Sequence, residues 1–77
     1  MGMKDLSYHV ILVREEQGNY SAYVPALPGC FSQGDNVEEA LQNAREAIEC
    51  HIESLRKDGL PIPNPSDEIV REVRIAV

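Results

Sequence analysis

Tyr20-Ser21-Ala22-Tyr23-Val24-Pro25-Ala26-Leu27-Pro28-Gly29-Cys30-Phe31-Ser32-Gln33-Gly34-Asp35-Asn36-Val37-Glu38-Glu39-Ala40 is the stretch that decides the fold. Tyr20, Ala22 and Val24 alternate with Ser21 and Tyr23, the period of a strand with one face buried. Pro25 cannot donate to a ladder and Pro28-Gly29 makes a turn, so that strand stops there. Cys30 to Gln33 reads as a short third strand, with Gly34-Asp35 as the connector into a helix.

Asn36 is suited to accept from the first free backbone N–H groups of that helix, and Glu39, three residues on, is placed to reach back as a capping box. At 100° per residue, Val37, Ala40, Leu41, Ala44, Ala47, Ile48, His51, Ile52 and Leu55 share a stripe roughly 140° wide, the width of a helix packed on a sheet. Arg56 and Lys57 put positive charge at the negative end of the dipole, and Gly59 suits the residue just past the helix.

Working outward, Ser7 to Arg14 is β-branched and aromatic on both alternating faces, as in a strand covered on two sides or pairing with another chain. Glu15-Glu16-Gln17-Gly18-Asn19 joins it to the Tyr20 strand as a hairpin. Leu60-Pro61-Ile62-Pro63-Asn64-Pro65-Ser66 forbids helix and favours a polyproline-like connector crossing one edge of the domain. In Ile69 to Val77, Ile69, Val73, Ile75 and Val77 fall on one face and Glu72 and Arg74 on the other, which predicts strand four. The expected order is β-β-β-α-β, an α+β domain over residues 1–77 with an antiparallel sheet of three to four strands and one helix on a face. Residues 1–6, opening Met1-Gly2-Met3, are expected to be a disordered or cloning-derived start.

The chain has 77 residues, of which 43% are hydrophobic and 26% charged, enough for one core and too little for a second domain. Asp and Glu number 13 against 7 Lys and Arg, and the resulting charge of −6 repels a phosphate backbone, so no direct DNA binding is expected. Met1 to Ser7 has no secretion signal, and no apolar run approaches a membrane span. A cytoplasmic protein is expected, with Cys30 and Cys50 as reduced thiols.

The residues name no reaction. Cys30, Cys50, His9 and His51 have no zinc-type spacing, so no metal site or cofactor is expected. A thiol nucleophile would need a histidine and an orienting acid that only the fold could bring together, and Cys30 reads as core. Glu15-Glu16, Glu38-Glu39 and Asp67-Glu68 are adjacent pairs whose side chains diverge, so they form no catalytic dyad. No glycine-rich run opens a helix to hold phosphate. No catalytic residue is expected, and the protein is expected not to be an enzyme.

Taken together, Pro25-Ala26-Leu27-Pro28-Gly29-Cys30, the Gly34-Asp35-Asn36-Val37-Glu38-Glu39-Ala40 helix start and the Pro61-x-Pro63-x-Pro65-Ser66 connector resemble the HicB antitoxin family over about Tyr8 to Val77. The resemblance implies a partial ribonuclease-H-like, double-stranded-RNA-binding-like fold without catalytic carboxylates, in its stand-alone form with no C-terminal DNA-binding domain. It further implies an antitoxin that binds and occludes a small basic HicA-type mRNA-cleaving toxin. In the family an Asp usually stands where this chain has Ala26, and Thr or Ser where it has Asn36.

Under that reading Glu15, Glu16, Glu38, Glu39, Glu46, Glu49 and Glu53 are the candidate partner-binding residues, carboxylates lying off the buried stripe or in the hairpin turn. Pro25, Pro28, Gly29, Cys30, Gly34, Asp35 and Asn36 form the structural motif. Two other readings stand beside it: a homo-oligomeric HicB-like domain with no toxin partner, and a ribonuclease-H-like metal-dependent nuclease using Asp35 or Glu38. A homodimer or homotetramer is expected, through edge-to-edge strand addition or packing of the exposed sheet face.

Overall fold

The computed structural model describes residues 6–65 and 69–77. Three strands, β1 (Ile11–Arg14), β2 (Tyr20–Tyr23) and β3 (Phe31–Gly34), form an antiparallel sheet in the order β1-β2-β3, followed by one helix, α1 (Val37–Lys57). The domain is α+β, as expected. The expected start at residues 1–6 lies outside the described residues except for Leu6, which is exposed.

Strand lengths follow from where partners exist. Ile11 stands opposite Tyr23, and Val24 already turns into the proline loop, so Tyr8 to Val10 have no strand across from them and β1 begins later than its β-branched run. In that loop the Leu27 N–H donates to the Val24 carbonyl at 3.0 Å and the Cys30 N–H to the Leu27 carbonyl at 2.9 Å. The Val24 N–H donates to the Cys30 carbonyl at 3.1 Å and closes the loop. Cys30 is thereby spent on the loop, and β3 starts at Phe31.

The core has two parts. Ala22, Ala40 and Ala44 are buried together, with Leu12 and Tyr20 packed against them. Val24, Leu27 and Cys30 form the second part, joined by Tyr8, Ala47 and Ile48, and Val10 touches both. The alanines bring helix and sheet close, and Gly34 makes this possible at the end of β3. A Cβ there would stand 2.7 Å from the Ala40 Cα and against the Ala40 nitrogen.

Both ends of α1 are capped by local chemistry. The Glu39 N–H donates to Asn36 Oδ1 at 2.8 Å, and Glu39 Oε1 accepts from the Asp35 N–H at 3.0 Å. The return bond of the capping box thus goes one residue upstream of the cap. At the other end the Gly59 N–H donates to the Arg56 carbonyl and the Leu60 N–H to the Leu55 carbonyl, with Gly59 at φ +67. That paired pattern is a Schellman motif, which a residue with a Cβ adopts only at a cost.

Strand four is the one expected element that is missing. Residues 69–77 carry no strand or helix, and all are exposed. Val73 is 76% exposed and Ile75 70%. Alternation equips a segment to be a strand, but a ladder needs a neighbouring edge, and this arm pairs with none among the described residues. Part of the predicted helix stripe is bare for the same reason. Ala40 and Ala44 are buried, whereas Val37 and Leu41 are exposed, because α1 lies over β3 and β2 and leaves β1 at the margin. The connector crosses beside the segment that precedes β1, where the Tyr8 hydroxyl donates to the Pro63 carbonyl at 2.9 Å. Ser66, Asp67 and Glu68 lie outside the described residues.

Candidate functional site: an apolar sheet face with an acidic rim

Leu12, Tyr20 and Ala22 point toward the helix, so alternation sends their neighbours to the other side of the sheet. Register then aligns Ile11, Tyr23 and Phe31 directly across the three strands. They are 52%, 45% and 63% exposed, and Val13 beside them is exposed as well. The four side chains form a contiguous apolar patch on this face rather than scattered surface hydrophobicity.

The hairpin end of the same face is polar and rich in acceptors. Glu15, Glu16, Gln17, Asn19, Ser21 and Gln33 line a shallow depression of about 570 Å³ that Tyr23 joins to the apolar row. Glu15 is held over the sheet because its Oε1 accepts from the Ser21 hydroxyl at 2.7 Å. Asn19 Oδ1 is buried there without a hydrogen-bond partner. The two carboxylates, not the buried amide oxygen, are the acceptors that this depression offers to a Lys or Arg donor.

The sheet separates the seven candidate carboxylates. Glu15 and Glu16 sit at the open-face end, while Glu38, Glu39, Glu46, Glu49 and Glu53 are all exposed on α1, which covers the opposite face. At 100° per residue these five span about 100° of the helix circumference. One flat partner cannot meet both groups at once. Glu39 is also already spent on the Asp35 N–H. Of the structural motif, Gly34 and Cys30 are buried, Asn36 caps the helix, and Pro25, Pro28 and Gly29 shape the loop round Leu27.

The apolar row was not singled out from sequence. Its signal is the aromatic pair Tyr23 and Phe31 at strand positions of core-opposite parity, but their alignment depends on register.

The fold does bring Cys30, Cys50 and His51 to the lining of one depression. Burial pushes the Cys30 thiol above its ordinary value, the wrong direction for a thiolate nucleophile. Among the described residues no group of three His, Cys, Asp or Glu side chains is placed to hold a metal ion. No helix among them is long and apolar enough to cross a membrane.

Fold and surface together define a small α+β domain with a bare apolar sheet face and an acidic helix. The chain belongs to the HicB-like antitoxins of bacterial toxin-antitoxin systems, whose family model matches residues 8–73. A UPF0150 protein of Synechocystis is 49% identical over 71 residues, 92% of this chain and 89% of that one. Antitoxin HicB 1 of Photorhabdus laumondii is 32% identical over 77 residues, which are 97% of this chain and 50% of that protein. The crystal structure of the N-terminal domain of Burkholderia pseudomallei antitoxin HicB superposes with a TM-score of 0.64 at 28% identity, covering 83% of this chain and 69% of that one.

Proposed function

We propose that this protein is a non-enzymatic antitoxin that neutralises a small basic HicA-type mRNA-cleaving toxin in the cytoplasm by covering it. The observation that carries this reading is the exposed Ile11–Tyr23–Phe31 row abutting the Glu15 and Glu16 depression, on a chain of net charge −6. Apolar contact supplies affinity, and the carboxylates select a cationic partner and steer it in. Family membership supports the same reading. The chain also self-associates, as a dimer or tetramer.

Calorimetric titration of the purified protein with the basic protein encoded beside it tests the proposal. A complex that weakens with rising salt is expected. Absence of any complex overturns it.

A further inference from the structure

The depression beside the proline loop holds two thiols that the proposed function leaves unused. The loop contributes Gly29 and Cys30 to its lining, α1 contributes Ala47, Cys50 and Ser54, and the space between them is about 370 Å³. We infer that Cys30 and Cys50 are a paired thiol site for hydrogen peroxide, which converts them into a reversible disulfide joining the loop to the helix.

The helix period brings the second thiol toward the first. Ala47, Cys50 and Ser54 stand at i, i+3 and i+7, within one arc of about 60° on α1. Ala47 packs against the buried cluster of Val24, Leu27 and Cys30. Cys50 is one step of about 4.5 Å further along that side of the helix. A disulfide needs Cα atoms within about 7 Å, and the loop has room to move toward the helix. No atom lies within 4 Å of where a Cβ on Gly29 would stand. Three metal ligands do not converge among the described residues, but a disulfide needs only two sulfurs.

The two thiols divide the chemistry by exposure. Cys50 is exposed and meets the oxidant, whereas Cys30 is buried and shielded from it. In the first step the Cys50 thiolate sulfur attacks one peroxide oxygen. An S–O bond forms, the O–O bond breaks, and the released hydroxide takes up a proton to leave as water. In the second step the Cys30 sulfur attacks the Cys50 sulfenic acid. The S–S bond forms, the S–O bond breaks, and hydroxide leaves with the Cys30 proton as a second water. Two thiols are oxidised and one peroxide is reduced, and a dithiol reverses the bond by exchange. A transient disulfide of this kind is the form that a reducing compartment permits.

The site is independent of toxin binding and of self-association. The reduced full chain treated with hydrogen peroxide is expected to lose two hydrogen atoms in mass without gaining a covalent partner. After alkylation and trypsin, peptides 15–45 and 46–56 should be joined, and dithiothreitol should separate them. The rate should not depend on protein concentration, and the far-ultraviolet circular dichroism should stay that of the reduced protein. Cys50→Ser, at an exposed position, should fold like the parent and leave Cys30 reduced. In Cys30→Ser, Cys50 should stop at a sulfenic acid, trapped by dimedone in about tenfold or greater excess over the parent. Oxidation of Cys50 to sulfinic acid in the parent while Cys30 stays reduced overturns the pairing. Covalent dimers through Cys50 as the sole disulfide product also overturn it, as do joined peptides found only where the helix signal is lost.

Discussion

The backbone of Ala40 occupies the space that a side chain on Gly34 would need, so the end of β3 and the first turn of α1 touch without any side chain between them. A Gly34→Ala variant must push the helix off the sheet, because the obstacle is backbone and cannot rotate away. We expect a loss of about 2–3 kcal/mol and a fall in Tm of about 10 °C or more, checked by thermal and urea unfolding.

Asn36 caps α1 through a bond to the Glu39 N–H. Asn36→Ala should cost about 1 kcal/mol, while Asn36→Asp, which keeps the acceptor and adds charge at the positive helix end, should be neutral or better. Equal losses in the two variants by urea denaturation would show that the cap is not what Asn36 contributes.

The two thiols should separate by reactivity. Cys50 is exposed and Cys30 buried. A thiol reagent at mild alkaline pH is expected to modify Cys50 at once and Cys30 only as the protein unfolds. Burial raises the pKa of both the Cys30 thiol and the Tyr8 phenol above their ordinary values of 9.0 and 10.0. Folding therefore holds protons that the unfolded chain releases, and the associated stability is complete below pH 9 and is lost as pH rises through the folded-state values. Stability should hold from pH 8 to about 9 and fall above that, and Cys30→Ala should remove the lower part of that decline.

The exposed sheet face makes a prediction of its own. Tyr23→Glu and Phe31→Glu alter exposed side chains and should change stability by no more than about 1 kcal/mol. Each should weaken binding of the proposed toxin partner by about tenfold or more, measured by titration, because it puts a charge in the middle of an apolar contact.

Most of the architecture is legible in the residues because it is local. Asn36, Glu39, Gly59 and the proline loop each set a boundary through bonds made within a few positions. What is not legible depends on partners far along the chain. Alternation in Ile69 to Val77 states what that segment does beside an edge, not whether an edge is within reach. Val37 and Leu41 belong to the helix stripe by period, yet they are exposed because of where the helix sits on the sheet. The alignment of Ile11, Tyr23 and Phe31 comes from strand register, which no single strand contains. The candidate carboxylates were readable as surface charge, but their division between two sides of the molecule was not.

Leu27 has no accessible surface and is gripped by a loop whose backbone bonds close on themselves from Val24 to Cys30. That loop is a plug in the floor of the domain rather than a surface excursion. The fold itself tolerates an inserted peptide better at the hairpin tip around Gln17 and Gly18, which are exposed, although there it crowds the acidic depression that Gln17 lines. The same insertion between Pro25 and Cys30 would pull the plug.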